Sequence, residues 1–62
     1  MENKNLWWGY LHVNGTVQAK RYFSPEDIIE ANASPFCDVA VGPFWAEDRD
    51  EALFILNQQF VN

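Results

Sequence analysis

The stretch LWWGYLHVNGTVQAKRYF, residues 6–23, decides the fold. It places the Asn-Gly pair of residues 14–15 between two runs that are rich in aromatic and β-branched side chains. Asn and Gly tolerate positive φ at both central positions of a two-residue type I′ turn, the turn that suits a tight hairpin. The sequence therefore predicts a β-hairpin in which Val13 is paired with Thr16, and this turn fixes the register of both strands.

Alternation along the two predicted strands sorts the hairpin side chains onto two faces. The face that carries Trp8 is the more apolar and is predicted to be the core side, with Leu6, Trp8, Tyr10, His12, Val17, Ala19, Arg21 and Phe23. The other face is mixed, because Trp7 is paired there with Tyr22 beside Lys20. We expect this second face to remain accessible and to form a protein interface through Trp7, Leu11, Gln18, Lys20 and Tyr22.

A first helix is predicted after the hairpin, with Ser24 as its cap and Pro25 at its first position. Pro35 disfavours helical geometry in the residue before it, so this helix should end near residues 32–33. Residues 36–41 then form a β-prone run that is closed by Gly-Pro at residues 42–43, which predicts a third strand.

A second helix is predicted over residues 49–60. Asp48 can cap it, and Glu51 follows three residues later in an acidic analogue of the capping box. Its apolar stripe is formed by Ala52, Leu53, Leu56 and Phe60, with Ile55 at its margin. Phe44, which follows the third strand, is expected to lie under this helix.

The resulting order ββαβα predicts an α+β fold, a small two-layer sandwich within one domain over residues 1–62. A right-handed crossover would give a three-stranded antiparallel sheet in the order 2-1-3, with both helices on the Trp8 face. Residues 1–5 are polar and are expected to form a flexible N-terminus.

Composition excludes several classes of protein. A hydrophobic share of 48% argues against a disordered chain, and a single cysteine excludes an internal disulfide framework. A net charge of −5 argues against binding to duplex nucleic acid, which rests on Lys and Arg. No apolar run approaches the roughly 20 residues that cross a bilayer, so we expect a cytoplasmic protein without a membrane partner.

No residue pattern indicates catalysis, a metal or a cofactor. His12 and Cys37 are each single in the sequence, so neither a zinc site nor an established Cys–His dyad follows from it. The acids Glu47, Asp48, Asp50 and Glu51 fit helix capping and a solvated surface better than a calcium loop. We expect no enzymatic activity and no small-molecule substrate.

The aromatic hairpin leaves three interpretations open. It can be a protein interface, with a homodimer among the options, or it can be purely a core. It can also be a stacking platform for single-stranded nucleic acid, as on an RRM sheet, although the acidic balance counts against this. A related alternative is that the acidic surface imitates DNA and inhibits a nucleic-acid enzyme of a host.

The chain resembles a small family of uncharacterised proteins of tailed bacteriophages, especially phages of marine bacteria and cyanobacteria. The likeness is carried by the following segments: Trp8 to Tyr10, His12 to Thr16, Lys20 to Phe23, Ser34 to Phe36, Gly42 to Phe44, Ala46, Arg49, and Glu51 with Ala52. It implies an accessory phage product in the bacterial cytoplasm and names no activity. Residues 41–52 are also similar to a strand–turn–helix segment of the SPOR domain, but the SPOR domain has two βαβ-type halves and this chain has one hairpin-led unit.

Overall fold

The computed structural model describes residues 4–60, which form an antiparallel three-stranded sheet and two helices. The elements are β1 (Asn5–His12), β2 (Val17–Arg21), α1 (Pro25–Ala33), β3 (Cys37–Ala46) and α2 (Arg49–Phe60). The sheet order is β2-β1-β3, with antiparallel pairing throughout. The predicted α+β class, the element order and the strand order are therefore confirmed.

The expected flexible N-terminus lies partly outside this range. Residues 1–3 are not among the described residues. Asn5 already belongs to β1 and is paired with Ala46 of β3.

The hairpin loop has three residues, so the predicted two-residue type I′ turn is wrong. The His12 N–H donates to the Thr16 carbonyl oxygen at 2.7 Å, and the Gly15 N–H donates to the His12 carbonyl oxygen at 2.8 Å. Gly15 has φ +93°, and every residue with positive φ among residues 4–60 is a glycine. This is a three-residue hairpin loop whose last residue is left-handed, and only that position favours glycine.

The longer loop shifts the register of β2 by one residue. Trp8 is paired with Lys20 and Tyr10 with Gln18, whereas the two-residue turn would pair Trp8 with Arg21. Because side chains alternate along a strand, a shift of one residue moves every β2 side chain to the other face relative to β1. Gly9 is consequently paired with Ala19.

The core lies on the Trp7 face of the sheet, under α2. Its buried cluster is formed by Trp7, Ala19, Ala46, Ala52 and Leu56. Gly9 lets α2 approach closely, because a Cβ at this position would overlap the Leu56 side chain and the Gln18 carbonyl oxygen. The prediction that both helices lie on the Trp8 face is therefore wrong for α2, and the one-residue shift is the reason.

Strand β3 continues past the predicted end at residue 41. It includes a cis Gly42–Pro43 peptide bond and a local irregularity in its pairing with β1 between Trp7 and Gly9. Proline lacks an N–H but is tolerated here because β3 is paired on one side only. Phe44 packs against the core cluster, as predicted.

Both helices have the predicted bounds but are capped differently. The Glu51 N–H donates to Asp48 Oδ1 at 2.9 Å, and Glu51 Oε1 accepts the Glu47 N–H at 2.6 Å, so α2 has a reciprocal acidic cap. Ser24 occupies the N-cap of α1 but makes no side-chain cap bond.

None of the helices within residues 4–60 has the length and apolar character needed to cross a lipid bilayer.

Candidate binding groove

The five residues predicted to form an interface do not share one surface. Trp7 is only 8% exposed, and its indole N–H donates to the Ala46 carbonyl oxygen at 3.1 Å. Leu11 is on the same side of β1 as Trp7, but Gln18 and Lys20 are paired with residues of the Trp8 side. Tyr22 is half-buried, and its backbone N–H donates to the Leu6 carbonyl oxygen at 3.0 Å. The predicted interface is therefore absent as a continuous face.

A groove is present instead on the opposite side of the sheet. We call it the aromatic groove, and its volume is about 650 Å³. Its strand side is formed by Trp8, Tyr10, His12 and Lys20, and its helix side by Asp27, Glu30, Ala31 and Ser34. Arg21 with Phe23 and Phe36 with Cys37 complete its lining.

Two pairs of stacked rings line the aromatic groove. The ring centroids of Trp8 and Tyr10 are 5.8 Å apart with an interplanar angle of 28°. Those of His12 and Phe36 are 5.9 Å apart with an angle of 14°. These separations are typical of favourable aromatic pairs, so the lining is held by ring–ring contacts as well as by the strands.

Two phenylalanines of the lining are exposed to solvent. Phe23 is 79% exposed and Phe36 is 61% exposed. The Arg21 guanidinium lies 5.7 Å from the centre of the Phe23 ring and 5.6 Å from the centre of the Trp7 ring. Arg21 therefore makes cation–π contacts with both rings, and it leaves much of Phe23 accessible.

The charges of the aromatic groove are separated between its two sides. Lys20 and Arg21 belong to β2, whereas Asp27 and Glu30 belong to α1. Asp27 Oδ2 accepts the Phe23 N–H in a long bond of 3.4 Å. No hydrogen bond or ion pair joins the side chain of Glu30 or Lys20 to any other residue within 4–60.

His12 and Cys37 face each other in the β1–β3 pairing and both line the aromatic groove. A dyad would need the imidazole to accept the thiol proton, but no hydrogen bond joins the two side chains within residues 4–60. His12 Nδ1 instead accepts the Asn14 N–H at 3.1 Å, which uses one of the two ring nitrogens for the hairpin loop. The imidazole is thus held by stacking on the Phe36 ring and by the hydrogen bond at Nδ1.

Residues 4–60 contain no group of three His, Cys, Asp or Glu side chains that could hold a metal ion. The acidic run before and within α2 is used for capping, through Glu47, Asp48 and Glu51. The lining of the aromatic groove offers ring faces for stacking, apolar surface and charged side chains of both signs.

Neither the contribution of α1 to this surface nor the exposure of Phe23 and Phe36 was predicted from the sequence. Comparisons with models of protein families, with curated proteins and with solved structures found no match for the chain.

Proposed function

We propose that the protein acts by binding a segment of another protein in the aromatic groove, without catalysing a reaction. The observation that carries this proposal is an open groove with two stacked ring pairs and two exposed phenylalanines. Aromatic and Arg side chains are enriched among the residues that dominate protein–protein affinity. A volume of about 650 Å³ accommodates a few side chains of a partner.

Single-stranded nucleic acid is the second candidate, because stacked rings beside Lys20 and Arg21 form the kind of surface that binds bases and phosphates. The α1 side of the groove argues against it. Asp27 and Glu30 repel phosphates, and the chain carries a net charge of −5. We therefore favour a protein partner over an oligonucleotide, and over the DNA-imitating inhibitor that the acidic composition alone would permit.

The likeness to tailed-phage proteins indicates where the protein would act. It supports an accessory product that acts in the cytoplasm of an infected bacterium and whose partner is a host or phage protein.

Selection from a random peptide display library tests the proposed function. Phe23→Ser and Phe36→Ser each remove an exposed ring from the groove and should abolish capture of the peptides that the unmodified protein selects. Phe54→Ser is the matched control, because Phe54 is 64% exposed on α2 and does not line the groove. The control variant should retain the selected peptides.

Three results would contradict the proposal. One is that no peptide is enriched, and another is that the enriched peptides bind the Phe36→Ser variant as well as the Phe54→Ser variant. The third is quenching of tryptophan fluorescence by a short oligonucleotide at low salt, with loss of the quenching in Phe36→Ser, which would assign the groove to nucleic acid. Light scattering of the same variants would reveal a dimer that depends on Phe36, and thus a second copy as the occupant.

A further inference from the structure

We infer that the occupant of the aromatic groove is a basic segment, one that inserts a Lys or Arg side chain between the rings and the acidic side of α1. This inference rests on the proposed function, because it specifies the chemistry of the partner at the same groove.

Charge on α1 provides the first argument. The helix carries no basic residue, and the two charged side chains that it contributes to the groove, Asp27 and Glu30, are both negative. The Glu30 carboxylate has no hydrogen-bond or ion-pair partner within residues 4–60, and the Asp27 carboxylate accepts one long bond at 3.4 Å. Both carboxylates retain acceptor capacity for a guanidinium or an ammonium group.

The rings provide the second argument. A cation within about 6 Å of a ring centre is attracted by the negative face of the ring, and a carboxylate next to the ring adds to this attraction. The chain already uses such contacts, since Arg21 lies 5.6 Å from the centre of Trp7 and 5.7 Å from that of Phe23. The same chemistry is offered to an incoming cation by Tyr10 and Phe36, which share the groove with Asp27 and Glu30.

The charges on the β2 side of the groove restrict where a basic side chain of a partner can bind. Lys20 and Arg21 repel a second cation there, so a basic side chain is favoured on the α1 side only. A segment with one basic residue among apolar neighbours thus fits the groove better than a polybasic segment. The net charge of −5 also favours the approach of basic partners from solution.

Peptides enriched from the random display library on the unmodified protein provide the test. We expect a Lys or Arg at one fixed position, flanked by apolar residues, in most of the peptides whose capture depends on Phe36. Replacement of that residue by Gln in a synthetic copy should weaken binding about tenfold, as measured by fluorescence anisotropy. Added salt should weaken the original peptide more than the Gln peptide.

Protein variants complete the test. Asp27→Asn with Glu30→Gln removes the acidic side and should weaken the basic peptide about tenfold while leaving the Gln peptide unchanged. Asp38→Asn with Asp50→Asn changes the net charge equally at exposed positions outside the groove, and should leave both peptides near their original affinity. Peptides that depend on Phe36 but lack a basic residue would overturn this inference and leave the proposed function standing. Absence of any Phe36-dependent peptide would overturn both.

Discussion

The indole N–H of Trp7 donates to the backbone carbonyl oxygen of Ala46 at 3.1 Å, and this bond joins the central strand to the end of β3 inside the core. Ala46 is completely buried and Trp7 nearly so, which means that water cannot replace the bond if it is lost. Trp7 is therefore a structural residue. Its neighbour Trp8 is also buried, at 5% exposure, and lines the aromatic groove on the opposite side of the sheet.

Trp7→Phe should destabilise the fold by about 1–3 kcal/mol, because the Ala46 carbonyl oxygen would remain buried without its donor. Trp45→Phe is the matched control, since Trp45 is 60% exposed and should change the stability by no more than about 0.5 kcal/mol. Urea unfolding followed by far-UV circular dichroism compares the two variants. Equal losses of stability in the two variants would show that the buried hydrogen bond does not stabilise the fold.

The two helix caps predict a contrast between two other substitutions. Asp48→Ala should cost about 1 kcal/mol, because the Glu51 N–H loses its acceptor at the start of α2. Ser24→Ala should be nearly neutral, because the Ser24 side chain makes no cap bond in α1. Thermal unfolding of both variants measures this difference, and a larger loss for Ser24→Ala would contradict the cap assignment.

The conformation of the hairpin loop predicts how substitutions at position 15 rank in stability. A Cβ there would meet no atom within 4 Å, so φ +93° alone decides the cost. Asn adopts the left-handed region more readily than other residues and β-branched residues avoid it. Gly15→Asn should therefore be tolerated better than Gly15→Val, with a difference of about 1 kcal/mol in urea unfolding. Equal stability of the two variants would contradict the left-handed assignment.

The bounds of the two helices were predictable because their signals are local. Pro25 and Pro35 delimit α1, and the Asp48–Glu51 pair begins α2, whatever the rest of the chain does. The hairpin register was not predictable from the Asn-Gly pair, because this pair fits a two-residue turn and also a three-residue loop with glycine last. The loop that forms depends on how the side chains pack across the two strands. A change from the two-residue turn to the three-residue loop moves every β2 side chain to the other face of the sheet.

One residue did carry a signal for the true core face. Gly9 interrupts an otherwise bulky strand, and a glycine inside a strand often marks the close approach of another segment. It shares the Trp7 face and leaves room for the Leu56 side chain. The part that α1 plays in the aromatic groove has no such local signal, because it depends on how the helix lies beside β3.

Cys37 offers an independent readout of occupancy. It is the single cysteine of the sequence, is half-buried and lines the aromatic groove next to Phe36. A bound peptide should shield the thiol, so alkylation by iodoacetamide should slow about tenfold at saturating peptide if the bound fraction is near 90%. Mass spectrometry over time measures the rate. The protection should disappear in Phe36→Ser and persist in Phe54→Ser, and an unchanged alkylation rate with saturating peptide would mean that the peptide binds elsewhere on the chain.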